Sequence, residues 1–229
     1  MIDRADYDAA YPAVADGVTL YVWREPAFRV AQWTARAGLP AIATTTAAAV
    51  MSAVTFVLFW TANYWPGLLA GFVFGVVATA AVHVVRAPGS SKAMLQALVL
   101  LSPPVWWWAW EHGLAAYGRP LTPLLATIVL WTIVGGYAGQ RIIELVAVRR
   151  FGVAIDRWHP FDSRFRLVAA DRDIDLAILL IAMVLGRPRF GLEAVGWWTL
   201  ISLIVAAVRF AQMNDHKARG RAIASWLDG

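Results

Sequence analysis

PAIATTTAAAVMSAVTFVLFW, residues 40–60, contains no charged side chain. A helix rises about 1.5 Å per residue, so this stretch covers about 30 Å, the thickness of the hydrocarbon layer of a bilayer. The stretch therefore predicts a membrane-spanning helix. It begins too late in the chain and is too long for a cleaved signal peptide.

The rest of the chain has the same character. Its 229 residues are 60% hydrophobic and only 15% charged, which excludes an ordinary soluble domain. There is no cysteine, so neither a disulfide framework nor a thiolate metal site can form. The four histidines are scattered and predict no metal centre. Nothing indicates a nucleic-acid partner.

Further apolar runs predict an all-α protein with six transmembrane helices. The expected spans are 40–60, 65–85, 93–110, 121–140, 174–186 and 191–210. We expect the fourth to continue as one helix to Arg150, and the fifth is short. The domains follow as a polar arm at 1–26, an interfacial helix at 27–38, the transmembrane domain at 39–213 and a cytoplasmic tail at 214–229.

The segment PAFRVAQWTARAGL, residues 26–39, precedes the first span. Arg29, Gln32 and Arg36 fall on one face of a helix, and apolar residues cover the remainder. This pattern is typical of an amphipathic helix lying in the membrane interface. A plain helical connector is the alternative interpretation.

The basic residues predict the orientation. With six spans the two termini share a side, and that side receives all but three of the 20 basic residues, leaving only Arg119, Arg187 and Arg189 opposite. The positive-inside rule then places both termini in the cytoplasm, and the composition suggests a bacterial inner membrane. Aromatic residues are expected at the outer boundary, namely Trp60, Tyr64, Trp65, Trp106, Trp107, Trp108 and Trp110.

Arginines are the main candidates for ligand binding, because a guanidinium group matches phosphate oxygens in a bidentate way. They concentrate around a polar segment at 151–176, on the predicted cytoplasmic side. The same groups could bind anionic lipid headgroups without any catalysis. The candidate phosphate- or headgroup-binding residues are His83, Arg86, Arg149, Arg150, Arg164, Arg166 and Arg172.

Asp171, Asp173 and Asp175 form a D-x-D-x-D pattern that could supply oxygen ligands to Mg²⁺ or Mn²⁺. On a helix, however, residues two apart point in nearly opposite directions and do not converge. The alternative is that the acids begin the fifth span, where negative charge interacts favourably with the helix dipole.

Two segments, SSKAMLQALVLLSPPVWWWAWEHGL (90–114) and FGVAIDRWHPFDSRFRLVAADRDIDLAILLIAMVLGRPRFGLEAVGWWTLISLIVAAVRFAQ (151–212), resemble bacterial CDP-alcohol phosphatidyltransferases. The likeness covers the last two thirds of the chain. It implies an interfacial helix followed by six spans, and homodimerisation. Members of this family transfer a phosphoalcohol from a CDP-activated donor to an acceptor alcohol and release CMP. The aspartates of their motif, D-x-x-D-G-x-x-A-R followed by G-x-x-x-D-x-x-x-D, bind Mg²⁺ or Mn²⁺.

This sequence departs from that motif. If Arg86 takes the place of the motif arginine, the four aspartates fall on Ala78, Ala81, Val99 and Pro103. Residues 26–110 contain no Asp or Glu at all, so no gap can restore the carboxylates. Divalent ions of this kind need charged oxygen ligands. We therefore expect no catalytic residues, no metal and no cofactor.

The resulting hypothesis is a non-catalytic relative that binds membrane lipids, regulates or assembles, as a homodimer or as a heterodimer with a catalytic paralogue. One alternative is an active headgroup transferase that uses Asp162, Asp171, Asp173 or Asp175 as unconventional metal ligands. Another is a lipid carrier. Carriers usually place polar groups at the membrane midplane on broken helices, and the sequence shows little of this beyond Pro103 and Pro104.

Overall fold

The structure is a computed structural model that describes residues 4, 7, 14–84 and 90–228. These residues contain helices and turns and no strand, so the all-α prediction is confirmed for them. A π-helical turn at Thr19–Trp23 comes first and short 3₁₀ turns lie at Ile155–Arg157 and Trp226–Asp228. The α-helices are α1 Arg24–Arg36, α2 Ala41–Trp60, α3 Tyr64–Val84, α4 Ser90–Ala116, α5 Pro123–Phe151, α6 Pro160–Arg166, α7 Arg172–Val184 and α8 Pro188–Ala218.

Four helices are long and apolar enough to cross a membrane, namely α2, most of α3, α5 and α8. The other two helices that were expected to span, α4 and α7, differ from these four in hydropathy and in length, respectively. Helix α4 has 27 residues, but its tryptophans and its two internal prolines lower its hydropathy. Helix α7 has only 13 residues and rises about 20 Å, less than the roughly 30 Å of hydrocarbon.

Helices α5 and α8 run parallel in close contact. A Cβ atom on Gly136 would lie 2.4 Å from the Thr199 methyl carbon, and one on Gly139 would lie 2.9 Å from a methyl carbon of Leu203. Small residues let membrane helices approach in this way. Gly135, in contrast, faces open space. Helix α5 also continues without a break to Phe151, as its sequence predicts.

The bundle has two ends. The turn end consists of the connections at 61–63, 117–122 and 185–187. The helices next to these connections are in contact, since Trp110 Nε1 donates to the carbonyl of Pro188 at 3.2 Å. The opposite end, which we call the basic end, contains the start of α4, the ends of α5 and α8, and the residues from 152 to 171. There, Lys217 Nζ donates to the carbonyl of Arg150 at 2.9 Å.

The tryptophans of α4 correct one expectation. Trp106, Trp107 and Trp110 are fully buried, so they do not form an aromatic belt against lipid headgroups. Trp106 Nε1 donates to the carbonyl of Ser52 at 3.0 Å, which gives the buried indole N–H a partner inside the bundle. Only Trp108 of this group is half exposed.

Residues 14–23, which belong to the polar arm expected at 1–26, pack on the bundle. Trp23 is buried, and the amide of Gly17 donates to the carbonyl of Leu167 at 2.7 Å. Helix α1 begins at Arg24 and places Ala27 and Ala31 against α3. At the other terminus α8 extends to Ala218, beyond the boundary expected at 213.

Candidate functional site at the basic end

The candidate site is built on the first turn of α7. Asp171 has extended backbone angles, and its side chain accepts a hydrogen bond from the amide of Arg172 at 2.8 Å. This is an N-cap, and Asp173 and Asp175 follow in the first turn, where the helix dipole favours negative charge. As the spacing predicts, the three carboxylates take different partners.

Asp171 is held between two arginines. Its Oδ2 atom accepts from Arg166 Nη2 at 2.6 Å and from Arg141 Nη2 at 3.4 Å, and Arg141 also donates to Glu144 at 2.9 Å. Burial acts to raise the pKa of Asp171, but the charges of Arg166 and Arg141 outweigh it and hold the pKa below its ordinary value. The carboxylate therefore stays ionised and joins α7 to the end of α5.

Asp173 and Arg172 form a buried ion pair. Arg172 donates through Nε at 2.6 Å and through Nη2 at 2.7 Å, and its guanidinium carbon lies 4.9 Å from the centre of the Phe74 ring. Asp173 also accepts from the Thr19 hydroxyl at 3.1 Å. Opposite charge and stacking thus engage Arg172, although its Nη1 atom has no hydrogen-bond partner among the described residues.

Gly75 on α3 allows this junction to close. A Cβ there would lie 3.0 Å from Trp23 Nε1 and 3.4 Å from Asp173 Oδ1. Nearby, Asp16 is buried and accepts from the amide of Thr19 at 2.8 Å. Burial raises the pKa of Asp16, and the negative charges of Asp173 and Asp171 add to the increase.

Asp175 has a single partner among the described residues. The Tyr137 hydroxyl donates to its Oδ2 atom at 2.8 Å, and both side chains are buried. The Oδ1 atom has no hydrogen-bond partner in the described part of the chain. Tyr137 thereby connects α5 to α7 one turn before Arg141.

A cavity of about 490 Å³ opens beside this cluster. One part of its wall is polar, with two cations, Lys92 and Arg141, and the other part is apolar. Lys92 makes no ion pair with the residues that the structure describes. The cavity is lined by Val82, Lys92, Leu95, Gln96, Val99, Leu100, Tyr137, Arg141 and Asp171.

The predicted ligand-binding residues lie in different surroundings. Arg166 pairs with Asp171 and Arg172 pairs with Asp173, both at the start of α7, whereas Arg149, Arg150 and Arg164 are exposed. The side chain of His83 and the whole of Arg86 lie outside the described residues. Of the positions aligned with the family aspartates, Val99 lines the cavity, and Ala78, Ala81 and Pro103 are buried.

Asp162 belongs to a separate cluster. It accepts from Arg209 through both oxygens and from the amide of His159, the N-cap of α6, at 3.1 Å, and Arg209 lies over the Trp158 ring at 4.7 Å. Arg209 is therefore paired within the protein. Among the described residues no group of three or more acidic or histidine side chains could hold a metal ion, so the side chains there do not fit the Mg²⁺ or Mn²⁺ of the resembled family.

Sequence reasoning missed Tyr137, Arg141 and Trp23. A tyrosine and an arginine one turn apart at the inner end of a predicted span were a usable signal, because polar groups at that position tend to face the bundle interior. Trp23 carried no comparable signal, since its contacts depend on Gly75 and Asp173 in other elements.

No protein-family model matches the chain, and a comparison with characterised proteins finds no match either.

Proposed function

We propose that this chain is a membrane protein that binds an anionic lipid headgroup in the cavity at the basic end, without transferring it. The observation that carries this proposal is the composition of the cavity wall. Lys92 and Arg141 can face a phosphate group, while Leu95, Val99 and Leu100 can contact the adjoining acyl chain. A cavity wall with a cationic part and an apolar part suits an amphipathic anion.

The proposal includes the topology that the sequence predicts. Helices α4 and α7 complete six spans, α1 lies in the membrane interface, and the basic end faces the cytoplasm of a bacterial inner membrane. Support comes from the charge distribution, since only Arg119, Arg187 and Arg189 of the basic residues belong to the turn end.

The absence of transfer is proposed because the chemistry of the resembled family needs bound metal. Ala78 and Ala81 are buried among apolar side chains, and Val99 lines the cavity where a carboxylate would be needed. Asp171, the only acid among the described residues of the cavity wall, already pairs with Arg166 and Arg141. We therefore retain the proposal of a non-catalytic CDP-alcohol phosphatidyltransferase-like protein that acts as a homodimer or beside a catalytic paralogue.

Headgroup binding is tested with Lys92→Gln. The full chain in detergent is titrated with phosphatidylglycerol and with zwitterionic phosphatidylcholine, and bound lipid is counted by native mass spectrometry. Lys92 is exposed and makes no ion pair among the described residues, so its replacement should leave the fold intact. We expect affinity for phosphatidylglycerol to fall about tenfold, the loss of roughly one charge-assisted hydrogen bond.

Arg149→Gln is the matched control, because Arg149 is exposed at the same end and lies outside the cavity wall. An equal loss in both variants would show a diffuse charge effect and refute the cavity site. The active-transferase alternative is tested on the same preparation by CMP release from CDP-diacylglycerol with Mg²⁺ or Mn²⁺. Metal-dependent turnover would refute the non-catalytic part of the proposal.

A further inference from the structure

The turn end gathers its three basic residues around one depression. Arg119 follows α4, Arg187 precedes α8, and Arg189 lies in the first turn of α8. All three line an open depression of about 580 Å³, together with Pro120, Phe190 and Glu193. Basic residues are depleted on the non-cytoplasmic side of membrane proteins, so three that converge there invite a functional explanation.

Backbone contacts fix the positions of these arginines. The amide of Arg119 donates to the carbonyl of Leu114 at 2.9 Å, and the amide of Arg187 donates to the carbonyl of Ala182 at 2.8 Å. Gly118 and Gly186, which precede them, have φ of +74° and +66°, a conformation that favours glycine and ends the helix before each arginine. Arg119 and Arg187 are therefore held by hydrogen-bonded helix ends and do not belong to long loops.

The depression has an excess of positive charge. Arg189 donates to Glu193 at 2.9 Å and more weakly to the carbonyl of Pro120 at 3.4 Å. Arg119 and Arg187 make no ion pair with the described residues, and both are exposed. One carboxylate thus faces three guanidinium groups, which leaves two positive charges for a ligand.

We propose that Arg119, Arg187 and Arg189 form a second anion-binding site, which takes a phosphate group. Guanidinium forks match phosphate oxygens, and two of the three forks are uncommitted among the described residues. The phosphate can belong to a lipid of the leaflet at the turn end or to a soluble molecule on that side. This site is independent of the cavity at the basic end and is on the opposite side of the bundle.

The test counts ligands on the full chain in detergent. Native mass spectrometry with phosphatidylglycerol is expected to show two specific lipids on the natural protein and one on Arg119→Gln/Arg187→Gln. Affinity at the turn end should fall at least about tenfold, because each lost contact is a charge-assisted hydrogen bond. Lys92→Gln lowers the affinity for the other lipid by about tenfold, so failure at one end is distinguished from failure at the other.

Arg149→Gln/Arg164→Gln is the control, with the same change of net charge at exposed positions of the basic end. Retention of both lipids by Arg119→Gln/Arg187→Gln, or an equal loss in the control, would overturn the site. A parallel titration with inorganic phosphate identifies the source. Displacement of the turn-end lipid by inorganic phosphate indicates a ligand that a soluble phosphate can replace, and resistance to it indicates a lipid ligand.

Discussion

Gly136→Ala should separate α5 from α8. The added Cβ would lie 2.4 Å from Cγ2 of Thr199, whereas ordinary van der Waals contact begins at 3.4 Å. Thr199 is fully buried, and its hydroxyl donates to the carbonyl of Val195 at 2.8 Å, which holds the methyl group in place. The helices must therefore move apart by about 1 Å, an overpacking that costs about 1 to 3 kcal/mol.

The assay is thermal unfolding in detergent, followed by circular dichroism. In a chain of this length 1 kcal/mol corresponds to about 2 to 4 °C, so the Tm of Gly136→Ala should lie about 2 to 12 °C below that of Gly135→Ala. Gly135→Ala is the matched control, because its Cβ would meet nothing within 4 Å. Both variants gain the same helix propensity, about 1 kcal/mol, so their difference isolates the packing effect.

Thr199→Ser should rescue Gly136→Ala. Serine lacks the methyl group that obstructs the new Cβ and keeps the hydroxyl that donates to Val195. Gly136→Ala should lower Tm much less in a protein that already carries Thr199→Ser than in the natural protein. Such coupling is expected only for residues in contact. Equal Tm values for Gly136→Ala and Gly135→Ala would refute the packing of α5 against α8.

Three other predictions concern the charges around α7. Asp173→Asn leaves the Arg172 guanidinium buried beside a neutral group and should lower the free energy of unfolding by about 3 to 5 kcal/mol. The control Asp215→Asn, at an exposed ion pair, should lower it by less than about 0.5 kcal/mol, and equal Tm values for the two variants would contradict the buried pair. Because burial raises the pKa of Asp16, its ionised form destabilises the fold above that pKa, and the penalty is relieved as pH falls toward the unfolded value of about 3.9. Asp16→Asn should therefore raise Tm at about pH 8 and lose this advantage near pH 4, and a pH-independent difference would oppose the assignment. The lowered pKa of Asp171 acts in the opposite direction, because its contribution to stability is present above about pH 3.9 and is lost as pH falls further. Asp171→Asn should therefore make Tm fall less steeply as pH is lowered below about 3.9.

Several features of the fold could be predicted because they depend on local sequence. The uncharged run at 40–60 and the helix that continues to Phe151 need only length and hydropathy. Burial of Trp106 and Trp110 could not be predicted in the same way. Lipid and protein interior are both apolar, so hydropathy does not distinguish the two faces of a membrane helix.

The candidate site shows the same division. The cap at Asp171 is local and follows from the acidic pattern before an apolar run. The partners of the next acids are not local: Thr19 and Asp173 are 154 residues apart, and Tyr137 reaches Asp175 from another helix. Only the tertiary arrangement brings them together, so a single sequence gives no signal for these pairs.

In the topology that we propose, the shortness of α7 affects the bilayer around the candidate site. Its 13 residues rise about 20 Å, about 10 Å less than a hydrocarbon layer of about 30 Å, and a bilayer matches such a short span by becoming thinner beside it. Asp171 and the cavity wall that it shares with Arg141 then lie at the headgroups of a locally thin leaflet. A headgroup bound there is drawn inward relative to neighbouring lipids, and its tails reach the bilayer centre sooner. Shorter tails should therefore be favoured in this cavity.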